Sequence, residues 1–416
     1  MKYDVIIAGG GLAGLMCGIA LQREGRRVAI ISSGKSALHF SSGSLELWNG
    51  VDGSLERIAE EKPTHPYAIV GTEHLERYSN LTKDIFAAAG VTLMGDYGCN
   101  HLRLSPIGAM RPAWLTVNGF YTVTNEDELP KGKVVVVGIE GFLDFYPEYV
   151  ADGLRLKGVE CEVAVVTLPA LEVLRESATE MRGVNISRAL RGDVVEQFAE
   201  RVNAVSAGAE LVLLPAVFGL GDEDALERVA ARFSCQVKVA PTASASVVGV
   251  KMQRQLTEYF TLLGGTFLPG DKVKSYRVEQ GLIAGVCTHN HGDVEFRADS
   301  FVLATGSFFG RGLVANPDGV YEPIFGADVD YDADRAEWCS KSILDTQPFQ
   351  RYGVKVDSHL RVSIESTTID NLYAAGAVVG GADAVKEGCG AGVVVSTALM
   401  VAEEILGRTL CETNVK

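Results

Sequence analysis

The chain has little of what would place it inside a membrane or on a nucleic acid. No uninterrupted apolar run reaches the ~18–20 residues that a membrane-spanning helix needs, although 47% of its 416 residues are hydrophobic. Positive charge is in deficit, with 38 Lys and Arg against 53 Asp and Glu and a formal net charge of −15. A phosphate backbone asks for a basic stripe, so no nucleic-acid partner is expected. The eight cysteines (Cys17, Cys99, Cys161, Cys235, Cys287, Cys339, Cys389 and Cys411) include no C-x-x-C pair. That removes the usual zinc and iron–sulfur spacings, and no metal is expected. Scattered single cysteines read as reduced, cytoplasmic thiols. The first residues read as a strand, so no signal peptide is expected. Any membrane contact is expected to be peripheral, through a partner.

What is present starts at the N-terminus. Tyr3 to Ala8 reads as a short apolar strand and runs directly into Gly9-Gly10-Gly11-Leu12-Ala13-Gly14. A helix follows, with Leu12, Leu15, Met16 and Ile19 on one face and Gly25 as its stop, and Val28 to Ile31 is the second strand of a βαβ unit. In such a G-x-G-x-x-G loop Gly9 makes the tight turn. Gly11 lets a phosphate approach bare backbone, and Gly14 lets helix and strand pack closely. The helix start offers unpaired N–H groups and partial positive charge. A nucleotide site is therefore expected here. The acid that would hold an adenosine ribose should end the second strand, but Ser32-Ser33-Gly34-Lys35 stands there instead.

Further candidates lie along the chain. His39-Phe40-Ser41-Ser42-Gly43-Ser44 follows the second strand, on the side where ligands bind, and reads as a loop or capped start before a helical stretch. From about Lys131 a second α/β run begins. Its strands are expected at Lys133–Val137, Glu162–Thr167, Glu210–Leu214 and Gln236–Ala240, with helices over Ser187–Val205 and Glu223–Phe233 between them. Strands alternating with helices imply a mostly parallel sheet. His289 and His291 flank a hairpin tip and lack a third metal ligand nearby, so they read as solvated. Two later strands end in glycine turns, at Gly306 and Gly376, and Gly388-Cys389-Gly390-Ala391-Gly392 opens a last apolar helix. The fold expected is α/β. A discontinuous Rossmann-like, doubly wound domain comes from residues 1–114 and 246–416, with an α/β cap or substrate domain inserted at 115–245.

Gly9–Gly14, Val302–Gly306 and Leu372–Gly376 are placed as in flavoproteins with two dinucleotide-binding domains, of the fumarate reductase and succinate dehydrogenase type. His39-Phe40-Ser41-Ser42-Gly43-Ser44-Leu45, Pro106-Ile107-Gly108 with Trp114, Gly249 with Gln253, and Pro269-Gly270-Asp271 together resemble the B subunit of the anaerobic glycerol-3-phosphate dehydrogenase.

The resemblance implies a flavoprotein in a heterotrimer that oxidises sn-glycerol 3-phosphate to dihydroxyacetone phosphate and passes electrons to quinone, with fumarate or nitrate as terminal acceptor. It implies FMN in this subunit, with FAD the alternative. The partners implied are an FAD-bearing catalytic sister subunit and an iron–sulfur subunit that anchors the complex to the inner face of the cell membrane. FMN lacks the adenosine half, which agrees with Ser32 in place of the ribose acid and Ala377 in place of an acid after the last strand. The cofactor-binding candidates are Gly9, Gly11, Gly14, Ser32, Ser33, Ser41, Ser42, Gly43, Gly306, Gly376 and Gly388. His39 is the candidate base, and Arg254 and Arg311 are carried as catalytic candidates. For the substrate phosphate, Arg111, Lys251, Arg254 and Arg311 all remain open. A non-catalytic flavin relay or assembly subunit, or another flavin-dependent oxidoreductase of this class, is the alternative reading.

Overall fold

In chain order the strands that build the two main sheets are β1 (Val5–Ala8), β2 (Val28–Ser32), β3 (Val134–Ile139), β4 (Cys161–Val166), β5 (Leu211–Pro215), β6 (Gln236–Ala240), β7 (Thr266–Pro269), β8 (Ser300–Leu303), β9 (Arg361–Ile364) and β10 (Thr367–Ala374). The helices used below are α1 (Leu12–Arg23), α2 (Leu75–Ala88), α3 (Asp193–Val205), α4 (Val247–Leu262) and α5 (Gly390–Leu406). The computed structural model describes residues 2–50, 55–177 and 179–410; Cys411 lies outside them. Two compact units divide the chain. The first takes residues 1–37, 45–91 and 255–416, and the second takes 38–44 and 92–254.

The first unit is built on a six-stranded sheet in the order β7-β2-β1-β8-β10-β9. Every neighbouring pair is parallel except β9 with β10. Strands β1 and β2 are buried at every position, as parallel strands covered on both faces must be. Helix α1 packs on them with nine buried residues. Register puts Ala8 beside Leu303, and Leu303 beside Ala374, so three strands end level with one another.

The second unit holds a wholly parallel four-stranded sheet, β4-β3-β5-β6. Its order reverses between β3 and β5, the doubly wound arrangement in which ligands lie outside the carboxyl edge. β-Branched Val134 to Val137 make β3 a central, fully buried strand.

Two expectations change. The helix expected over Ser187–Val205 is two helices, Gly183–Ala189 and α3, because Gly192 turns the chain at φ +54. The stretch after Gly43 is not helical. Ser44 and Leu45 form a short strand, and the Ser44 and Thr116 hydroxyls share a buried hydrogen bond of 2.9 Å.

Candidate functional site

The site grows from the level strand ends of the first unit. Gly9 follows β1 and lies against the Ala304 carbonyl, just past β8. The next step depends on Gly14, where a Cβ would stand 1.9 Å from the Gly9 carbonyl oxygen. Only glycine lets α1 start this close to the strand end. Gly11 is the opposite case: the nearest atom to a Cβ there is Ser36 Cβ, at 3.7 Å. The backbone at Gly11 is bare and open, as an approaching phosphate requires. Gly11 is also the N-cap of α1, with no side-chain cap and no acid in the first turn, so the orphan N–H groups are left for an anion.

Gly376, just past β10 at φ +80, closes the arrangement. A Cβ there would be 2.7 Å from Ala13 Cβ, in the first turn of α1, and 3.7 Å from Val394 Cγ2, in the second turn of α5. Its N–H donates to Thr397 Oγ1 at 2.8 Å. The start of α1 thus meets this strand end with the second turn of α5 packed beside it, while the Gly392 N–H in the first turn of α5 donates to the Glu46 carbonyl at 2.9 Å. Gly306 turns at φ +81 beyond β8, and the neighbouring Thr305 hydroxyl is buried without a hydrogen-bond partner. The uncapped start of α1, an open Gly11 and an orphaned hydroxyl fit a phosphate-bearing cofactor.

Among the other candidates in this unit, Ser32 is 5% exposed and its hydroxyl donates to the Gly34 carbonyl at 3.2 Å, while Ser33 is exposed. Gly388 takes the left-handed conformation at φ +56 against Asn49, just before α5. Arg311 is exposed, at φ +59. In the second unit, Ser41 Oγ accepts the Gly43 N–H at 3.1 Å, and a Cβ on Gly43 would meet the Phe120 ring at 2.6 Å. Ser42 is half-buried beside them. The His39 carbonyl accepts the Ser246 N–H at 2.8 Å, which ties this stretch to the start of α4. Arg254 donates to Glu223 at 2.9 Å, so its charge already has a partner. His291 is not simply solvated: its Nδ1 lies 2.9 Å from both Asp271 Oδ2 and the Thr288 hydroxyl.

A buried charge network ahead of α5 was not legible in the sequence. Glu387 is fully buried, with Lys62 Nζ donating to Oε1 at 2.7 Å. Its Oε2 accepts the Asp383 N–H at 2.9 Å and His65 Nε2–H at 3.3 Å. Burial opposes ionisation, but these donors outweigh it and hold the Glu387 carboxyl down at about 2. Cys389 Sγ lies 3.7 Å from the same oxygen, and burial pushes its thiol up. His65, Glu387 and Cys389 bring their donor atoms within 4.8 Å of one another. The donor set does not suit a metal. The Tyr67 N–H occupies His65 Nδ1 at 3.1 Å, which fixes the proton on Nε2, the atom that would have to ligate. A cavity of about 530 Å³ lined by Tyr321, Asp328, Lys355 and Ser366, among others, shares no residue with the glycine turns.

Residues 4–393 match the family model described as FAD binding domain. The chain is therefore a flavin-binding oxidoreductase subunit, and a flavin is its cofactor. It belongs to the family of the B subunit of anaerobic glycerol-3-phosphate dehydrogenase. The B subunit of that name from Yersinia enterocolitica is 42% identical over 98% of this chain and 98% of its own. Its namesake from Pectobacterium atrosepticum is 38% identical over 98% of this chain and 99% of its own. Membership of a family of lettered subunits implies a multi-subunit complex. Among solved structures, quinol fumarate reductase of E. coli is 11% identical with a TM-score of 0.43, covering 100% of this chain and 72% of that one. Among the described residues no helix is long and apolar enough to cross a membrane.

Proposed function

We propose that this subunit takes part in oxidising sn-glycerol 3-phosphate to dihydroxyacetone phosphate in an anaerobic respiratory complex. The observation that carries the reading is the uncapped start of α1, open at Gly11 and packed on Gly376, in a chain 42% identical to a named B subunit. Electrons leave for quinone through an iron–sulfur partner, because this chain has no paired cysteines to ligate a cluster. That partner also holds the complex at the cytoplasmic face of the membrane. Residues 1–114 and 246–416 serve as the flavin domain, and 115–245 as the substrate domain.

A bound flavin supplies the acceptor for the two electrons of the alcohol. Gly11 and the first N–H groups of α1 hold its phosphate, with Gly9 and Gly14 giving the turn its shape. Gly306, Gly376 and Gly388 keep the neighbouring backbone close, and Ser32, Ser33, Ser41, Ser42 and Gly43 supply further polar contacts. FMN is favoured over FAD, since Ser32, whose hydroxyl goes to the Gly34 carbonyl, stands where an acid would hold a ribose. His39 takes the substrate hydroxyl proton on a ring nitrogen. Arg254 and Arg311 add positive charge for an anionic substrate.

The test is to purify the assembled complex, release and identify this subunit's cofactor, and follow flavin absorbance when glycerol 3-phosphate is added without oxygen. FMN released from this chain, with bleaching on addition, supports the reading. A colourless chain that takes up neither FMN nor FAD overturns it. Bleaching that requires the FAD-bearing sister subunit would assign this chain a relay role instead.

A further inference from the structure

The second unit places an unpartnered cation and an unpartnered buried hydroxyl at the edge of its parallel sheet. Lys251 lies on α4, half-buried, with no ion pair or hydrogen bond among the described residues. A helix turns about 100° per residue, so Lys251 and Gly249 face nearly opposite ways. Gly249 abuts the Leu38 carbonyl. Lys251 reaches the loop that follows β5, where its Nζ lies 2.9 Å from the position a Cβ on Gly219 would take. Glycine at that position leaves the ammonium room.

The hydroxyl belongs to Thr242, the second residue past β6. Thr242 is 4% exposed and its Oγ1 has no hydrogen-bond partner. Leaving a buried hydroxyl unpaired is costly, so it marks a place where a partner is missing. Lys251, through the loop after β5, and Thr242, just past β6, belong to the carboxyl edge of the sheet, where doubly wound sheets take their ligands. A negative charge is present there too, on Asp144 beyond β3. Its carboxylate is already held by Arg182 and by the Gly183 N–H. Arg254, one turn along α4 from Lys251, is held by Glu223.

We propose that Lys251 and the Thr242 hydroxyl form an anion subsite at this edge, and that the anion is the phosphate monoester of the substrate. The proposal rests on the glycerol 3-phosphate reading above and selects one cation among those left open. Lysine offers a compact charge with three rotatable donors, suited to a phosphate oxygen, and a neighbouring hydroxyl adds a further donor.

The experiment uses the assembled complex carrying Lys251→Met, Lys251→Arg or Thr242→Val. Inorganic phosphate is the probe, with its binding followed by titration calorimetry independently of turnover. Lys251→Met is expected to weaken phosphate binding about tenfold or more and to raise the KM for glycerol 3-phosphate by a like factor. Flavin content should hold, and kcat should fall far less than KM rises. Thr242→Val should weaken binding severalfold, and Lys251→Arg should recover most of the loss. Phosphate binding that is equal in Lys251→Met and the parent, or absent from both, overturns the subsite. Lys251-dependent phosphate binding in a complex whose flavin glycerol 3-phosphate never reduces would keep the subsite and remove the substrate. Turnover with an unchanged KM in Lys251→Met would do the reverse.

Discussion

Ala13 and Gly376, 363 positions apart in the chain, meet so closely that a methyl group on Gly376 would stand 2.7 Å from Ala13 Cβ. That contact joins the first turn of α1 to the end of β10. Val394, in the second turn of α5, lies 3.7 Å from the same methyl position. The start of α1 brings partial positive charge and unpaired N–H groups. Such a start favours an anion, which is why a cofactor phosphate is proposed there.

Two glycines of the first loop should separate folding from binding. Gly14→Ala places its methyl 1.9 Å from the Gly9 carbonyl oxygen. Backbone on backbone cannot yield cheaply, so a loss of about 1–3 kcal/mol or more is expected, read as a lowered urea midpoint even without cofactor. Gly11→Ala meets nothing nearer than 3.7 Å. The apo-protein should keep its midpoint while flavin content falls, because the methyl takes the room a phosphate needs. A stable, flavin-replete Gly11→Ala would place the phosphate elsewhere.

Local features were legible in the sequence, and distant pairings were not. The G-x-G-x-x-G loop shows itself because its glycines stand at a fixed short spacing and Gly14 must clear the Gly9 carbonyl five residues earlier. Val134 to Val137 announces a buried strand for a similar reason. The break at Gly192 is hidden, since apolar spacing continues on both sides of it while the backbone turns. Ser44 and Leu45 become a strand through a partner, Thr116, that no short window includes. The cations are harder still. Arg254 and Lys251 look equivalent in sequence, and only folding gives Arg254 a carboxylate, Glu223, while leaving Lys251 without one. Glu387 with Lys62 is the extreme case, a pair 325 positions apart with no motif at either end.

Asp271 should be a fastening point rather than a catalytic group. It is 2% exposed, accepts the N–H groups of Lys272 at 2.8 Å and Asn290 at 3.0 Å, and lies 2.9 Å from His291 Nδ1. Asp271→Ala strands these donors at a cost of about 1–3 kcal/mol. Thermal unfolding should show the loss, while flavin content at low temperature stays near the parent value.

The buried pair ahead of α5 predicts an asymmetry between its members. Glu387→Ala leaves Lys62, whose side chain is 28% exposed and can turn to water. Lys62→Met leaves a wholly buried carboxylate, and the nearest remaining cation, Arg351, is 3.6 Å away. Breaking a buried pair costs about 3–5 kcal/mol when the remaining charge cannot escape. The lysine variant should therefore be the less stable of the two unless Arg351 closes in. Glu387→Gln combined with Lys62→Met should cost less than the two changes summed, with a coupling of about 0.5–3 kcal/mol. Simple additivity in denaturant titrations would mean that the pair is not energetically linked.

The same carboxylate sets part of the acid stability. In the fold Glu387 titrates at about 2, against 4.5 for an ordinary glutamate. The depressed value means that the unfolded chain binds the proton first as pH falls. The contribution of Glu387 is therefore fully present above about 4.5 and is lost as pH drops toward about 2. A tenfold change in acid strength is worth about 1.4 kcal/mol, so the contribution amounts to roughly 3 kcal/mol. Asp271, also held at about 2, adds to the same window. In Glu387→Gln the group no longer titrates. The parent's stability should then fall more steeply than the variant's between about pH 4.5 and 2, and the two curves should run parallel above about pH 5. Equal acid slopes would mean that Glu387 gains no protection from its donors in the folded state.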